Sequence, residues 1–416
     1  MSPVLALPPP VVSIGTSQIP RPGWVDSPDV LWDSMELGGA RGFRATAEFW
    51  TARQRQASSL QEVSYRACFK PQLPRYFIER LTRAGDVVYD PFSGRGTTGI
   101  EAGLLGRRVI LNDVNPLGAL LARPRFFIPD LGELEKRLCS MDLTKSRKAD
   151  RDLSMFYHPT TESEIVGLKT YLEERRGAGK ADDLDHWIRM VATNRLTGHS
   201  KGFFSVYSLP PNQAASPESQ LKINARLKQT PEPRDVVQII LKKSKSLLSD
   251  VSLEEAFRLR YAGIHGQFLS EDAGWTPMLE DGSVQLIVTS PPFLDVVQYA
   301  QDNWLRFWFN GISMEDAARR LTMHRKLEDW ARAMGDVFQE LYRVVRPGGW
   351  VAFEVGEVHG GSLQLEQSVV PLGAAAGFQF AGVLINSQRF TKTSNIWGVH
   401  NNGKGTNTNR IVLFQK

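Results

Sequence analysis

Cysteine is almost absent: Cys68 and Cys139 are the only two in 416 residues. Two thiols cannot build a disulfide framework or a cysteine-only zinc site, and they fit a reducing, cytoplasmic setting. The seven histidines show no metal-ligand spacing and no H-E-x-x-H, so no metal is required. Long apolar runs are missing too. No stretch of ~18 apolar residues escapes a charge or a proline, and no membrane association is expected. The opening MSPVLALPPPVVSIG lacks the basic start and apolar run of a secretory leader. Neither sign of charge prevails, since 50 Lys+Arg against 45 Asp+Glu leaves +5. That excess permits a polyanionic partner without demanding one.

What is present is ordinary in bulk: 42% hydrophobic and 23% charged residues, enough for a sizeable core. The organisation is more telling. The first ~30 residues are rich in proline and glycine with no period, and an extended arm is expected over 1–40. From Phe49 to Arg83 the apolar spacing is helical, broken near Pro71 and Pro74 and closed by Gly85. An α/β pattern follows. DVVYD (86–90) predicts a strand, SGRGTTG a turn, IEAGLLG a helix, RRVILND (107–113) a second strand and PLGALLAR a second helix. The same register resumes with SVQLIVT (283–289), GGWVAFEVG (348–356), FAGVLIN (380–386) and RIVLFQ (410–415), with a long helix over 329–345.

Between these halves, 128–265 has amphipathic helical texture and a basic run. Lys222, Arg226, Lys228, Arg234, Lys242, Lys243 and Lys245 face only Glu232 and Asp235 in that run. A solvated helix face explains such a run as readily as a polyanion does. The expected division is a core over 41–127 and 266–416 that carries an inserted, mostly helical subdomain.

The first chemical signal is Asp90-Pro91-Phe92-Ser93-Gly94-Arg95-Gly96-Thr97-Thr98-Gly99. Gly94 and Gly96 allow a sharp turn beneath a ligand, and the helix behind it offers unpaired N–H groups. As G-x-G-x-x-G it fits a dinucleotide site, with Asp113 placed to hold a ribose. Yet Asp90 at the strand end disfavours a pyrophosphate and suits a cation, such as the amino-acid end of S-adenosylmethionine. Asp113 could equally cap the helix after it. Arg95 is then expected to point outward or to pair with an acid. The second signal is Thr289-Ser290-Pro291-Pro292-Phe293, which ends an apolar strand at the carboxyl edge, where α/β sheets bind ligands.

Together these residues resemble the class I S-adenosylmethionine-dependent methyltransferases. DPFSGRGTT is similar to motif I of the amino-methylating DNA methyltransferases. Ser290, Pro291, Pro292 and Phe293 resemble their motif IV, in the serine form most often associated with N4-cytosine methylation. The resemblance implies a Rossmann-like α/β sheet and S-adenosylmethionine held by Asp90, Pro91, Phe92, Gly94, Gly96, Thr97 and Thr98. Asp113 resembles the ribose acid and Asp272 the acid that meets the adenine amine, with Glu271 as an alternative. Phe69 and Lys70, before Pro71, resemble motif X.

An exocyclic amine is a poor nucleophile because its lone pair is delocalised. A Ser290 oxygen and a carbonyl fixed by the Pro-Pro step can bind its N–H groups and turn that lone pair toward the methyl group. Phe293 offers a flat face to a base, which must first leave the duplex. Cytosine C5 chemistry needs a thiolate nucleophile. Neither cysteine follows a proline at a strand end, and both read as small buried hydrophobes.

The resemblance thus implies a site-specific methyltransferase acting on cytosine N4 in double-stranded DNA, located with the nucleoid in a prokaryote. Lys222, Arg226, Lys228, Lys242, Lys243 and Lys404 would bind the backbone, and a cognate restriction endonuclease is a conceivable partner. Adenine N6 and RNA remain open as targets. A nicotinamide-dependent dehydrogenase would leave Asp90 and Ser-Pro-Pro-Phe unexplained, and a relic binding protein would show lost motif residues. The order departs from the family's alpha group in one respect: the long insertion precedes Asp272 instead of following it.

Overall fold

The computed structural model describes residues 21–27, 29–50, 57–143, 147–292, 299–321, 326–355, 357–358, 363–387 and 408–416. Its centre is a nine-stranded sheet in the order β1-β2-β10-β11-β7-β6-β3-β4-β5. These strands are β1 (Leu31–Leu37), β2 (Ala40–Ala47), β3 (Val87–Asp90), β4 (Arg108–Asn112), β5 (Gln267–Leu269), β6 (Val284–Thr289), β7 (Val345–Val355), β10 (Gln379–Ser387) and β11 (Thr408–Gln415). A small ribbon, β8 (Glu357–Val358) with β9 (Leu363–Gln364), stands apart. The run β5-β4-β3-β6-β7 is parallel throughout, so five strands deliver their carboxyl ends to one edge. The α/β sheet expected from the sequence is therefore present.

All six residues of β6, VQLIVT, are buried, which explains why the segment is continuously apolar instead of alternating. Helices cover both faces. On one lie α1 (Gln72–Leu81), α2 (Thr97–Leu104) and α3 (Leu117–Ala122). On the other lie α13 (Leu327–Val344) and α14 (Glu366–Ala375). Helix α13 buries Trp330, Met334, Val337, Phe338, Leu341 and Val344, a single stripe at helical spacing.

The chain between β4 and β5 forms α4 (Leu131–Cys139), α5 (Pro159–Gly177), α6 (Asp183–Thr193), α7 (Pro217–Leu227), α8 (Val236–Leu247) and α9 (Leu253–Ile264). These helices do not form a separate lobe. Leu168, Trp187 and Ile240 share one continuous core with Val88 and Ile100 of the sheet layer. Helix α9 lies on α2, where a Cβ on Gly103 would come within 3.0 Å of Leu259. After β6 come α10 (Tyr299–Asp302), α11 (Trp304–Asn310) and α12 (Met314–Arg320).

Two local expectations are corrected. The arm expected over 1–40 is a strand from Leu31, because Gly38 and Gly39 both take positive φ (55° and 80°) and close a β1–β2 hairpin. Strand β2 then joins the sheet in parallel with β10. The helical spacing from Phe49 does not produce a helix over 57–71, apart from one turn at Ser59–Gln61. The backbone carbonyls of that stretch go instead to buried arginines. Leu60 O accepts from Arg125 at 2.9 Å, Gln61 O and Val63 O from Arg95 at 2.8 and 2.7 Å, and Ser64 O from Arg306 at 3.1 Å. Three guanidiniums thus supply what helical N–H groups would have supplied.

Candidate active site

At the carboxyl edge, the ends of β3 and β6 are neighbours and open on one cavity of about 360 Å³. Its lining includes Phe69, Asp90, Pro91, Phe92, Gly94, Thr97, Asp113, Asp272, Ser290 and Pro292. Motif I, motif IV and the segments around Phe69 and Asp272 are therefore brought together from four separate places in the chain. Lys70, Gly96, Thr98 and Pro291 are not among the lining residues. Phe293 and Lys404 lie outside the described residues.

Asp90 ends β3 and is buried. Its Oδ1 accepts from Thr289 Oγ1 at 2.6 Å and from the Phe92 N–H at 3.2 Å. Burial pushes its carboxyl up to about 7, against the pull of those donors. A buried carboxylate of this kind is unsatisfied electrically and favours a cation. Behind it the glycine turn is tight. Gly94 has φ 50° and Gly96 φ 81°, and a Cβ on Gly96 would meet Ala122 Cβ at 2.7 Å. Gly96 thus shapes the turn, and Thr98 is buried with its hydroxyl given to Val288 O at 3.1 Å.

Asp113 follows β4 and braces that turn. Its Oδ2 accepts from Gly94 N at 2.6 Å and its Oδ1 from Asn115 N at 2.8 Å. Burial raises its carboxyl to about 6. The capping role falls to Asn115 instead, whose Oδ1 accepts from Leu117 N at 3.1 Å. Asp272 follows β5, and its Oδ1 accepts from Gly274 N at 2.8 Å. The long insertion therefore enters one strand earlier, between β4 and β5, and Asp272 still reaches the cavity.

Arg95 corrects the expectation that it would point outward or meet an acid. It turns inward, 8% exposed, and spends its N–H groups on the carbonyls of Gln61 and Val63 and on Thr97 Oγ1. The cysteines also differ from expectation. Cys139 is exposed, and Cys68 is half-buried on the cavity wall, where burial pushes its thiol up, away from a thiolate. Of the basic run, Lys222, Arg226, Lys228 and Lys242 are exposed, and Lys243 pairs with Glu62 at 3.0 Å.

Several site residues went unseen in the sequence. Trp330 Nε1 donates to Pro292 O at 3.0 Å, which pins the Pro-Pro step from α13. Glu354, near the end of β7, is buried, hydrogen-bonds Ser290 and accepts from Asn409 Nδ2 at 2.6 Å. Burial lifts its carboxyl to about 7. Tyr65 and Tyr299 stack at 6.3 Å in the cavity lining, and Asn112 ties the loop after β5 to β4 through Glu271. Only Thr289 had a sequence signal, as the hydroxyl just ahead of Ser-Pro-Pro.

Residues 34–117 match the N6/N4 family described as DNA methylase. Among curated relatives, Type II methyltransferase M.MjaII of Methanocaldococcus jannaschii is 35% identical over 89 residues, 21% of this chain and 17% of that protein. Type II methyltransferase M.BsoBI of Geobacillus stearothermophilus is 22% identical over 274 residues, 60% of this chain and 52% of that protein. The chain thus spans about half, or less, of the length of these relatives. Solved structures include TrmN from Thermus thermophilus, with 14% identity, coverage of 84% of this chain and 50% of that one, and a TM-score of 0.30. Another is the rRNA methyltransferase aviRa from Streptomyces viridochromogenes, with 10% identity, 88% and 91% coverage, and a TM-score of 0.32. The sheet is of the mixed α/β type, parallel over β5-β4-β3-β6-β7 and antiparallel where β11 enters. No described helix is long and apolar enough to cross a membrane.

Proposed function

We propose that the chain is an S-adenosylmethionine-dependent DNA methyltransferase that modifies an exocyclic amine, with cytosine N4 as its target. The observation that carries this reading is the convergence of Asp90 and Ser290, at the ends of adjacent strands, on one cavity. The residues present fit the cofactor. A buried carboxylate at Asp90 suits its cationic amino-acid end, Asp113 and Asp272 suit its hydroxyl and amine donors, and Phe92, Met334 and Val337 supply apolar walls. Bound there, S-adenosylmethionine supplies an electrophilic methyl group.

The protein's part is to hold the amine. The Trp330 indole donates to the Pro292 carbonyl and so fixes the Pro-Pro step on the cavity wall, leaving the second lone pair of that carbonyl for a target N–H. Glu354 draws the Ser290 hydroxyl proton toward itself, which aims the serine lone pairs at the other N–H. Glu354, with a carboxyl near 7, is also placed to receive through Ser290 the proton that a methylated amine must lose. The preference for cytosine N4 rests on the serine form of motif IV. A restriction endonuclease as partner follows from the relatives' type II names and belongs to this same reading.

Incubation with duplex DNA and labelled cofactor, followed by nucleoside mass spectrometry, tests it. N4-methylcytosine is the expected product. N6-methyladenine would keep the mechanism and overturn the base, and label in RNA alone would overturn the substrate.

A further inference from the structure

A second cavity, about 380 Å³, lies beside the first and shares Tyr65 with it. Its walls come from the loop over motif I and from the insertion: Glu62, Arg95, Arg195, Phe203, Asn212 and Lys243 are among them. Arg195 is the telling residue. It is 8% exposed, its guanidinium carbon sits 4.0 Å from the centre of the Phe203 ring, and its Nε donates to Asn194 O at 2.8 Å. Among the described residues its two Nη groups have no acceptor.

Burial lowers its guanidinium to about 10, Arg306 pushes the same way, and only Glu62 opposes. That single carboxylate is already engaged by Lys243 Nζ at 3.0 Å and Ser246 Oγ at 3.4 Å. Three cations therefore face one acid in a polar cavity. A buried fork with two unused N–H edges is built for a planar or tetrahedral anion, and an oxygen pair from a phosphate matches it.

We infer that this cavity takes a phosphodiester of the DNA strand that delivers the target base, with Arg195 as its fork and Lys243 as a second charge. This rests on the proposed function, since it names where that substrate is gripped. The assignment also explains which part of the basic run matters. Lys243 faces the cavity, whereas Lys222, Arg226, Lys228 and Lys242 stay on the outer surface.

The test uses the full chain as wild type, Arg195→Gln, Arg195→Lys, Lys243→Gln and, as an exposed control that lines neither cavity, Lys180→Gln. Duplex binding is measured by anisotropy at several salt concentrations, and inorganic phosphate is tested separately by thermal shift. Cofactor binding is followed in parallel, and it should stay unchanged. The expected result is a loss of duplex affinity of roughly tenfold or more for Arg195→Gln, with the salt slope reduced by about 1. Arg195→Lys should recover part of that affinity, Lys243→Gln should weaken binding and lower the salt slope, and Lys180→Gln should change little.

Should Arg195→Gln fail to fold, Lys243→Gln carries the same comparison. Unchanged affinity and slope in both variants would overturn the site. Phosphate protection that depends on Arg195, in a wild type that binds no duplex, would keep the anion cavity while overturning both the DNA source and the proposed function.

Discussion

Thr289 Oγ1 donates to Asp90 Oδ1 at 2.6 Å and so joins the end of the motif IV strand to the end of the motif I strand. The residue that precedes Ser290 thereby helps to keep Asp90, the acid proposed to meet the cofactor, ionisable. Burial holds that acid near 7 even with this donor in place. A cationic ligand should bind the ionised form and displace a proton. Affinity for S-adenosylmethionine should thus fall about tenfold per pH unit below pH 7 and level off above it. Thr289→Val removes a donor to the carboxylate and should move that break to higher pH. Calorimetric titration from pH 5.5 to 8.5 measures both.

The unliganded fold should respond to pH in the opposite sense. Asp90 and Glu354, near 7, and Asp113, near 6, all lie above the usual carboxylate range because they are buried. The folded protein therefore binds their protons more tightly than the unfolded chain does. That contribution is fully present below about pH 4 and is lost as pH rises toward 7. Thermal midpoints of the apo protein should show this falling component, and saturating cofactor should remove the part due to Asp90.

Glu354→Gln keeps the shape of the side chain and removes its charge. At saturating cofactor the Asp90 limb vanishes from kcat, so any rise through pH 7 belongs to Glu354. The variant should lose that rise and lower kcat by about 10–100-fold, with cofactor KM unchanged. A pH–rate profile of both proteins decides it.

Gly96→Ala should be costly. Its φ of 81° is strained for any side chain, and the added methyl would meet Ala122 at 2.7 Å. Gly106, at φ 74°, has nothing within 4 Å of such a methyl. Gly106→Ala should lose roughly 1–2 kcal/mol from backbone strain alone, and Gly96→Ala clearly more. Urea denaturation of the pair separates strain from collision.

The parts of the site that could be read in the sequence are those with a local signature. Gly94 and Gly96 announce a turn, Asp90 and Ser290 sit at the ends of apolar runs, and Asp113 follows β4 in direct succession. Strand and helix positions in the core follow from the same patterns. The rest depends on partners far along the chain. Trp330 meets Pro292 from a helix whose own spacing says only that one face is buried. Glu354 sits in an apolar strand and has no motif around it. Arg95 turns inward because an irregular loop needs donors, and the apolar spacing of that loop suggested a helix instead. The β1–β2 hairpin has a local signal in Gly38-Gly39, although the arm expected from the proline-rich stretch that ends at Pro28 extends over it.

Transfer of a labelled methyl group to duplex DNA by Ser290→Ala and by Asp90→Ala, each set beside its cofactor affinity, bears most directly on the shared cavity. Ser290→Ala should bind S-adenosylmethionine as wild type does and lose transfer by about 100-fold or more. Asp90→Ala should lose the binding itself. Wild-type transfer by Ser290→Ala, or undiminished cofactor affinity in Asp90→Ala, would contradict the assignment of these two strand ends.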